Sequence, residues 1–214
     1  MKELLYKEFR LALHPTQIIF LTFAAMLFIP SYPYYTAFFY TTLAMFFTCL
    51  NGRENHDIYY TCLLPVKRSD AVGARIFFAA VFQLAQMILC IPVILIKKNL
   101  AIPPNSVGME ANAALLGMSL ILFGIFNITF FPRYYKNILK IGIPFLVSGT
   151  AVFVYIFLAE AMCHAVPFFK NIDNVDSEYL PARIAVLAAG AAVYAVLTVL
   201  SYKLSVKNFE SQDL

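Results

Sequence analysis

The chain has 214 residues, 61% of them hydrophobic and 13% charged, with a net charge of +4 and a mean hydropathy of +0.75. A water-soluble domain needs far more polar surface than this, and the basic residues fall in short segments between apolar runs, which is not a nucleic-acid signature. Apolar runs long enough to cross a bilayer recur along the chain, so we expect an all-α membrane protein with residues 1–214 forming one bundle.

Residues 1–14 carry the first element. Between Lys2 and Leu13, Leu5, Phe9 and Leu13 recur at i+4 while Lys2, Lys7 and Arg10 lie off that stripe. The pattern predicts an amphipathic helix lying in the membrane interface. It has no A-x-A-type cleavage site, so the first span is expected to be retained. Thr16 to Leu50 is almost uninterruptedly apolar, roughly 50 Å if helical and too long for one crossing of a core about 30 Å thick. Pro30-Ser-Tyr-Pro33 breaks it into a helical hairpin, with span 1 near Thr16–Ile29 and span 2 near Tyr34–Leu50.

The polar stretch from Asn51 to Gly73 follows, with a short amphipathic piece from Asp57 to Leu64 and the basic pair Lys67-Arg68. Span 3 is expected near Ala74–Ile96, span 4 near Ala113–Phe131, span 5 near Ile141–Cys163 and span 6 near Ala182–Tyr202. Between them lie a Pro103-Pro104 loop, a tight basic loop from Pro132 to Lys140 and a polar loop from His164 to Pro181. A polar tail runs from Lys203 to Leu214. Six transmembrane helices put both termini on one side. That side collects twelve of the sixteen basic residues; the other has Lys97, Lys98, Lys170 and Arg183, together with Glu110, Asp173, Asp176 and Glu178. The positive-inside rule therefore places both termini and the loops 51–73 and 132–140 in the cytoplasm.

No GxxxxGK[ST] and no HExxH occurs, so no nucleotide cofactor or metal is expected in this chain. Active transport would need a separate motor or an ion gradient. Glu160 is the one acid inside an apolar run, near the outer end of span 5, and reads as interfacial. Glu160, Cys163 and His164 share a helix face, too few ligands for a metal site. Cys49, Cys62, Cys90 and Cys163 are scattered and read as packing residues. Gln83, Gln86 and Asn127 are polar groups within spans; they serve interhelical hydrogen bonds or line a cavity. In span 6, Ala185/Ala189, Ala188/Ala192 and Ala191/Ala195 are small-xxx-small pairs that permit close helix approach, within a protomer or between protomers.

His56 and Cys62 raise an alternative. They suggest the His and Cys of small six-span membrane thiol peptidases that process signalling propeptides. The spacing here is His-x5-Cys, no glycine pair precedes His56, and on one helix the two residues point roughly 120° apart.

The run Arg53-Glu54, then Tyr59-Tyr60-Thr61-Cys62-Leu63-Leu64-Pro65-Val66-Lys67-Arg68, resembles the small ABC-2-type permeases of bacterial ABC exporters. The likeness rests on Glu54, Leu64-Pro65-Val66, Arg68 and the tail Ser205 to Glu210, with Asp213-Leu214 at the end. It implies the ABC-2-type exporter fold in a bacterial cell membrane. It also implies a second copy of the permease or a paralogue, and two ABC ATPase subunits that bind the ATP and magnesium. The loop corresponding to 51–68 would be the coupling helix, with Glu54, Asp57, Tyr59, Tyr60, Leu64 and Arg68 docking in the ATPase. Short members of that family export amphipathic peptides such as phenol-soluble modulins and lantibiotics, so peptide substrate and membrane lipid are the remaining expected partners.

Overall fold

The computed structural model describes residues 2–100, 102–173 and 177–212, and no strand occurs among them. Asp176, Asp213 and Leu214, placed above in the outer loop and the tail, lie outside the described residues. In chain order the helices are α1 Lys2–Ala12, α2 Pro15–Phe28, α3 Tyr35–Glu54, α4 Asp57–Cys62, α5 Arg68–Asn99, α6 Ala113–Tyr134, α7 Gly142–Ala165, α8 Pro167–Asp173 and α9 Leu180–Glu210. Four of them, α5, α6, α7 and α9, are long and apolar enough to cross a membrane.

The expected hairpin of spans 1 and 2 is present as α2 and α3, but neither helix is among those four. From Thr22 onward α2 tightens into a 3₁₀ helix, and it meets α1 at a bend of 82°. α3 has 20 residues, and its tyrosines, threonines and polar last turn lower its hydropathy. The buried threonines return their hydroxyls to their own helix: Thr42 Oγ1 to Phe39 O at 2.7 Å and Thr48 Oγ1 to Ala44 O at 3.2 Å. Gln86 of α5 supports the α2 transition, its amide nitrogen 3.2 Å from Leu21 O and its oxygen 3.3 Å from Ala24 N.

Several boundaries differ from the expectation. α5 begins at Arg68 rather than Ala74, because Ser69 to Gly73 contains nothing that stops a helix. α9 runs on to Glu210 for the same reason, so most of the expected tail is helical. Pro132 lies inside the last turn of α6 rather than in the following loop. The expected loop 164–181 contains α8 and a short 3₁₀ turn, Ser177–Tyr179.

α6 is the central helix and is buried along most of its length. Its most extensive partner is α9. The two backbones touch at Gly117 and Gly190, where a Cβ on Gly190 would collide with the Gly117 carbonyl and one on Gly117 would lie 2.6 Å from Val186 O. The three alanine pairs of α9 face away from this contact and are exposed. Gly190, inside the same AVLAAGAAVYAVL run, makes the close approach instead.

Hydrogen bonds define two ends. At one, Arg68 reaches the last carbonyls of α9, Asn208 Nδ2 donates to Pro132 O at 2.7 Å and Gln212 Nε2 donates to Tyr135 O at 2.6 Å. At the other, Ser106 N donates to Pro30 O at 2.8 Å, Lys97 Nζ to Tyr34 OH at 2.7 Å and Glu110 N to Asp173 Oδ1 at 2.6 Å. The tip of the α2–α3 hairpin is therefore at the end opposite α4.

Candidate functional site

The site begins where α3 stops. His56 adopts a left-handed backbone (φ 51°, ψ 30°), uncommon for a residue other than glycine, and reverses the chain. Its carbonyl accepts from Tyr60 N at 3.0 Å, which starts α4. Asp57 stands at the first helical position, where a negative charge suits the helix N-terminus. Pro65 disfavours helical geometry at Leu64, and Lys67 is extended before α5 begins.

The inner face of α4 is Ile58 and Thr61, both buried, with Asp57 at its edge. Asp57 joins a four-membered charge cluster. Lys7 Nζ lies 2.9 Å from Asp57 Oδ1, 3.2 Å from Glu8 Oε1 and 2.9 Å from Thr61 Oγ1. The Arg75 guanidinium pairs with Asp57 Oδ2, donates from Nη2 to Glu8 Oε1 at 3.1 Å, and lies 2.5 Å from Glu8 Oε2 through Nε. Arg75 and Glu8 are each 1% exposed. Two cations thus face two carboxylates, Arg75 and Glu8 closed from water and Lys7 and Asp57 at the edge, and charges buried as deeply as the first two are tolerable only when paired. Burial alone would raise the Asp57 carboxyl, but Arg75 and Lys7 outweigh it and hold it below its ordinary value.

The outer face is different in kind. Tyr59, Tyr60, Leu63 and Leu64 are 52%, 61%, 68% and 54% exposed, with the two tyrosine rings 6.0 Å apart edge to face. They form a contiguous apolar patch on a helix fastened from behind. Beside it a cavity of 470 Å³ opens between His56, Tyr59, Tyr134, Lys136, Leu139 and Gln212, bringing the 51–73 and 132–140 loops and the C-terminal segment to one groove.

Of the residues expected to dock, Tyr59, Tyr60 and Leu64 point outward, and Glu54 is exposed beside Arg53 (2.5 Å). Asp57 and Arg68 are turned to the chain's own use. Arg68 Nη1 donates to Phe209 O at 3.1 Å and Gln212 O at 2.7 Å, and its guanidinium lies 5.5 Å from the Phe209 ring centroid. It serves the carbonyls that a helix C-terminus leaves unpaired. The sequence reading missed Lys7, Glu8 and Arg75 as members of the site. Arg75, inside the first turns of an apolar run, was the available signal, since a charge there needs a partner. Leu4, Glu8 and Ala12 form the buried face of α1, one position off the expected Leu5–Phe9–Leu13 stripe, because Glu8 answers Arg75. Phe9 packs on Phe78 with ring centroids 5.1 Å apart.

Gln83 and Asn127 are buried and engaged with each other. Gln83 Nε2 donates to Asn127 Oδ1 at 2.8 Å and Asn127 Nδ2 returns to Gln83 Oε1 at 3.0 Å. Tyr194 OH adds a bond to Gln83 Oε1 at 2.8 Å, and Asn127 Nδ2 one to Thr198 Oγ1 at 3.1 Å. These bonds knot α5, α6 and α9 together, and with Gln86 placed on α2 the three groups serve interhelical contacts.

No hydrogen bond or ion pair joins His56 to Cys62 among the described residues. Burial pushes the Cys62 thiol up despite Arg68 and Lys7, opposite to an activated nucleophile. Glu160 Oε2 accepts from Met109 N at 2.9 Å. Among the described residues no group of three His, Cys, Asp or Glu side chains is placed to hold a metal ion, Glu160, Cys163 and His164 included.

Apolar helices of this length, tied by polar knots inside and exposing aliphatic faces outside, define a multi-pass membrane protein. Residues 3–210 match the family model described as ABC-2 family transporter protein, and the chain belongs to that family. It is thus a membrane permease component of an ABC transporter, the part that works with an ABC ATPase. No curated protein and no solved structure matches it.

Proposed function

We propose that this chain is the six-span permease subunit of an ATP-driven exporter of amphipathic peptides of the antimicrobial or toxin kind. It acts as a dimer in a bacterial cell membrane, with two ATPase subunits on the cytoplasmic face that bind the ATP and magnesium. The observation that carries the reading is the two-faced α4. Its exposed Tyr59, Tyr60, Leu63 and Leu64 suit a partner groove, while Asp57 is locked to Arg75 behind them. Interface anchors are typically aromatic and sit on a rigid support. A push on α4 would pass through that ion pair directly into α5.

Other features support the finer points. α2 and α3 run between the two ends of the bundle, as a pair of crossings would. The end holding α4 also holds both terminal segments and most of the basic residues, which favours its cytoplasmic placement. The exposed alanines of α9 suit close approach by a second copy. α7 exposes Phe153, Phe157 and Leu158, an apolar flank for an amphipathic substrate to follow.

Detergent co-purification tests the reading. An ATPase should accompany the wild-type chain, and its ATP hydrolysis should rise with an added amphipathic peptide. A chain that purifies intact, binds no ATPase and cleaves a propeptide would overturn it. For orientation, Leu64→Cys should be shielded from an impermeant thiol reagent in intact cells, whereas Lys170→Cys should react.

A further inference from the structure

At the end of the bundle away from α4, the chain between α5 and α6 folds into a compact loop. Asn105 N donates to Glu110 Oε2 at 2.5 Å, Asn105 Nδ2 to Met109 O at 3.2 Å and Val107 N to Asn105 Oδ1 at 3.0 Å, so residues 105–110 are closed on themselves. The loop sits between two parts of the fold. On one side it holds the hairpin tip, through Ser106 N to Pro30 O at 2.8 Å and Asn105 Nδ2 to Tyr32 O at 3.4 Å. Met109 is buried on that side, with its sulfur 3.5 Å from Tyr35 OH at the start of α3. On the other side it holds α7 and α8, where Met109 N donates to Glu160 Oε2 at 2.9 Å and Glu110 N to Asp173 Oδ1 at 2.6 Å.

These attachments are unequal. Glu110 is fully engaged: it pairs with Lys97 and accepts from Asn105 N and, at 2.8 Å, from Ala111 N. Glu160 is half engaged. Its Oε1 is buried with no hydrogen-bond partner among the described residues, and a Cβ on Gly108 would collide with its carboxyl group. A buried acceptor left without a donor offsets much of what the neighbouring bond contributes, so this joint yields before the others. Beneath the loop, α3 and α7 meet through rings, Phe39 on Phe153 at 5.1 Å and Phe46 on Phe145 at 4.3 Å, and no hydrogen bond joins the two helices among the described residues. We propose that loop 105–110 is a clasp that shuts the outer mouth of the α3–α7 seam and parts from α7 at Glu160 when substrate leaves. The proposal rests on the exporter reading. On parting, Glu160 exchanges one N–H for water at both oxygens. The loop stays on the hairpin tip and on Lys97, and the extended backbone of Val166 (φ −106°, ψ 121°) separates α7 from α8, so α8 can remain on Glu110.

The joint is tested by backbone hydrogen exchange on the full chain in micelles, read residue by residue by mass spectrometry. Glu160→Ala deletes the acceptor, whereas Gly108→Ala pushes the Glu160 carboxyl aside and keeps its charge. Each should speed exchange of the Met109 amide about tenfold or more, the effect of losing one hydrogen bond to a charged group. The double variant should be no faster than either single one, because both open the same joint. Amides of α6 should exchange as in the wild type throughout, which separates an open clasp from a loosened bundle. An unchanged Met109 amide in both variants, or effects that multiply, overturns the proposal. Its role in release is tested with Gly108→Cys and Glu160→Cys in one chain, bridged in intact cells by a short impermeant bifunctional thiol reagent. ATPase binding should persist, peptide export should stop, and reduction should restore it. Undiminished export by the bridged chain overturns the clasp and leaves the exporter reading standing. A wild type that binds no ATPase and exports no peptide overturns the exporter reading, and the role in release with it.

Discussion

Arg75 of α5 holds Asp57 of α4 from inside the bundle, and the same guanidinium holds Glu8 of α1. One side chain therefore positions three helices at the end where the partner is proposed to dock. Replacing it by Met takes the guanidinium from the buried Glu8 and leaves Lys7 alone to serve both carboxylates. That should cost about 3–5 kcal/mol, the usual penalty for breaking a buried ion pair from one side. Asp57→Asn should cost less, since Glu8 remains paired. Cys49, Cys90 and Cys163 are buried and free, so a thiol-reactive dye followed on heating reads both variants.

The same pair predicts a pH dependence. Asp57 has a folded-state value below its ordinary one near 4, so its contribution to stability is fully present above that value. It is lost as pH falls through the lowered folded value. The wild type should therefore lose thermal stability on acidification below about pH 4, and Asp57→Asn should lose less over the same range. Equal acid sensitivity in both would place the titrating group elsewhere.

The double change Tyr59→Ala with Tyr60→Ala removes two exposed rings whose ring contact among the described residues is with each other. ATPase association should weaken roughly tenfold or more, as when an anchor worth about 2 kcal/mol is truncated. The melting profile should stay that of the wild type. Wild-type affinity together with normal transport would remove α4 from the docking surface.

The Gln83–Asn127 pair should behave as structure rather than as substrate contact. In a double-mutant cycle with Gln83→Leu and Asn127→Leu, the coupling should be about 0.6–1.7 kcal/mol, the range for hydrogen bonds between membrane helices. The relative transport of different peptides should not change. A shift in peptide preference without loss of stability would restore these residues to a translocation path.

Gly190→Ala should be among the most damaging single changes in the chain, because the added carbon meets the Gly117 backbone rather than a movable side chain. Ala189→Gly, one residue away on an exposed face, should cost only the roughly 1 kcal/mol of helix propensity. Comparing the two separates the α6–α9 contact from general helix propensity.

The four longest spans and the hairpin were legible because hydropathy and the Pro30–Pro33 break are local signals. The outward residues of α4 were legible for the same reason, as a short amphipathic piece between a polar run and Pro65. What could not be read was which charges turn inward. Asp57 and Arg68 look like surface groups until Arg75 and the α9 carbonyls are set beside them, and those partners are 18 and more than 140 residues away in sequence. Within the bundle, the close approach of α9 to α6 falls on Gly190 rather than on the alanine pairs. Three alanine pairs outnumber one glycine in the pattern, but only a glycine lets the backbone of α6 come that close.

Along α5, Arg75, Gln83 and Lys97 mark three points on one rod, with arms of roughly 12 Å and 21 Å at 1.5 Å per residue. The knot at Gln83 binds the rod to α6 and α9 at its waist, while Arg75 takes the load from α4 and Lys97 closes the far end on Glu110. A rod held at its waist is a seesaw. A shift imposed at the short arm appears reversed at the long one, where Pro92 inside the helix absorbs part of it, so spin labels at the two ends of α5 should report displacements of opposite sign when ATP binds.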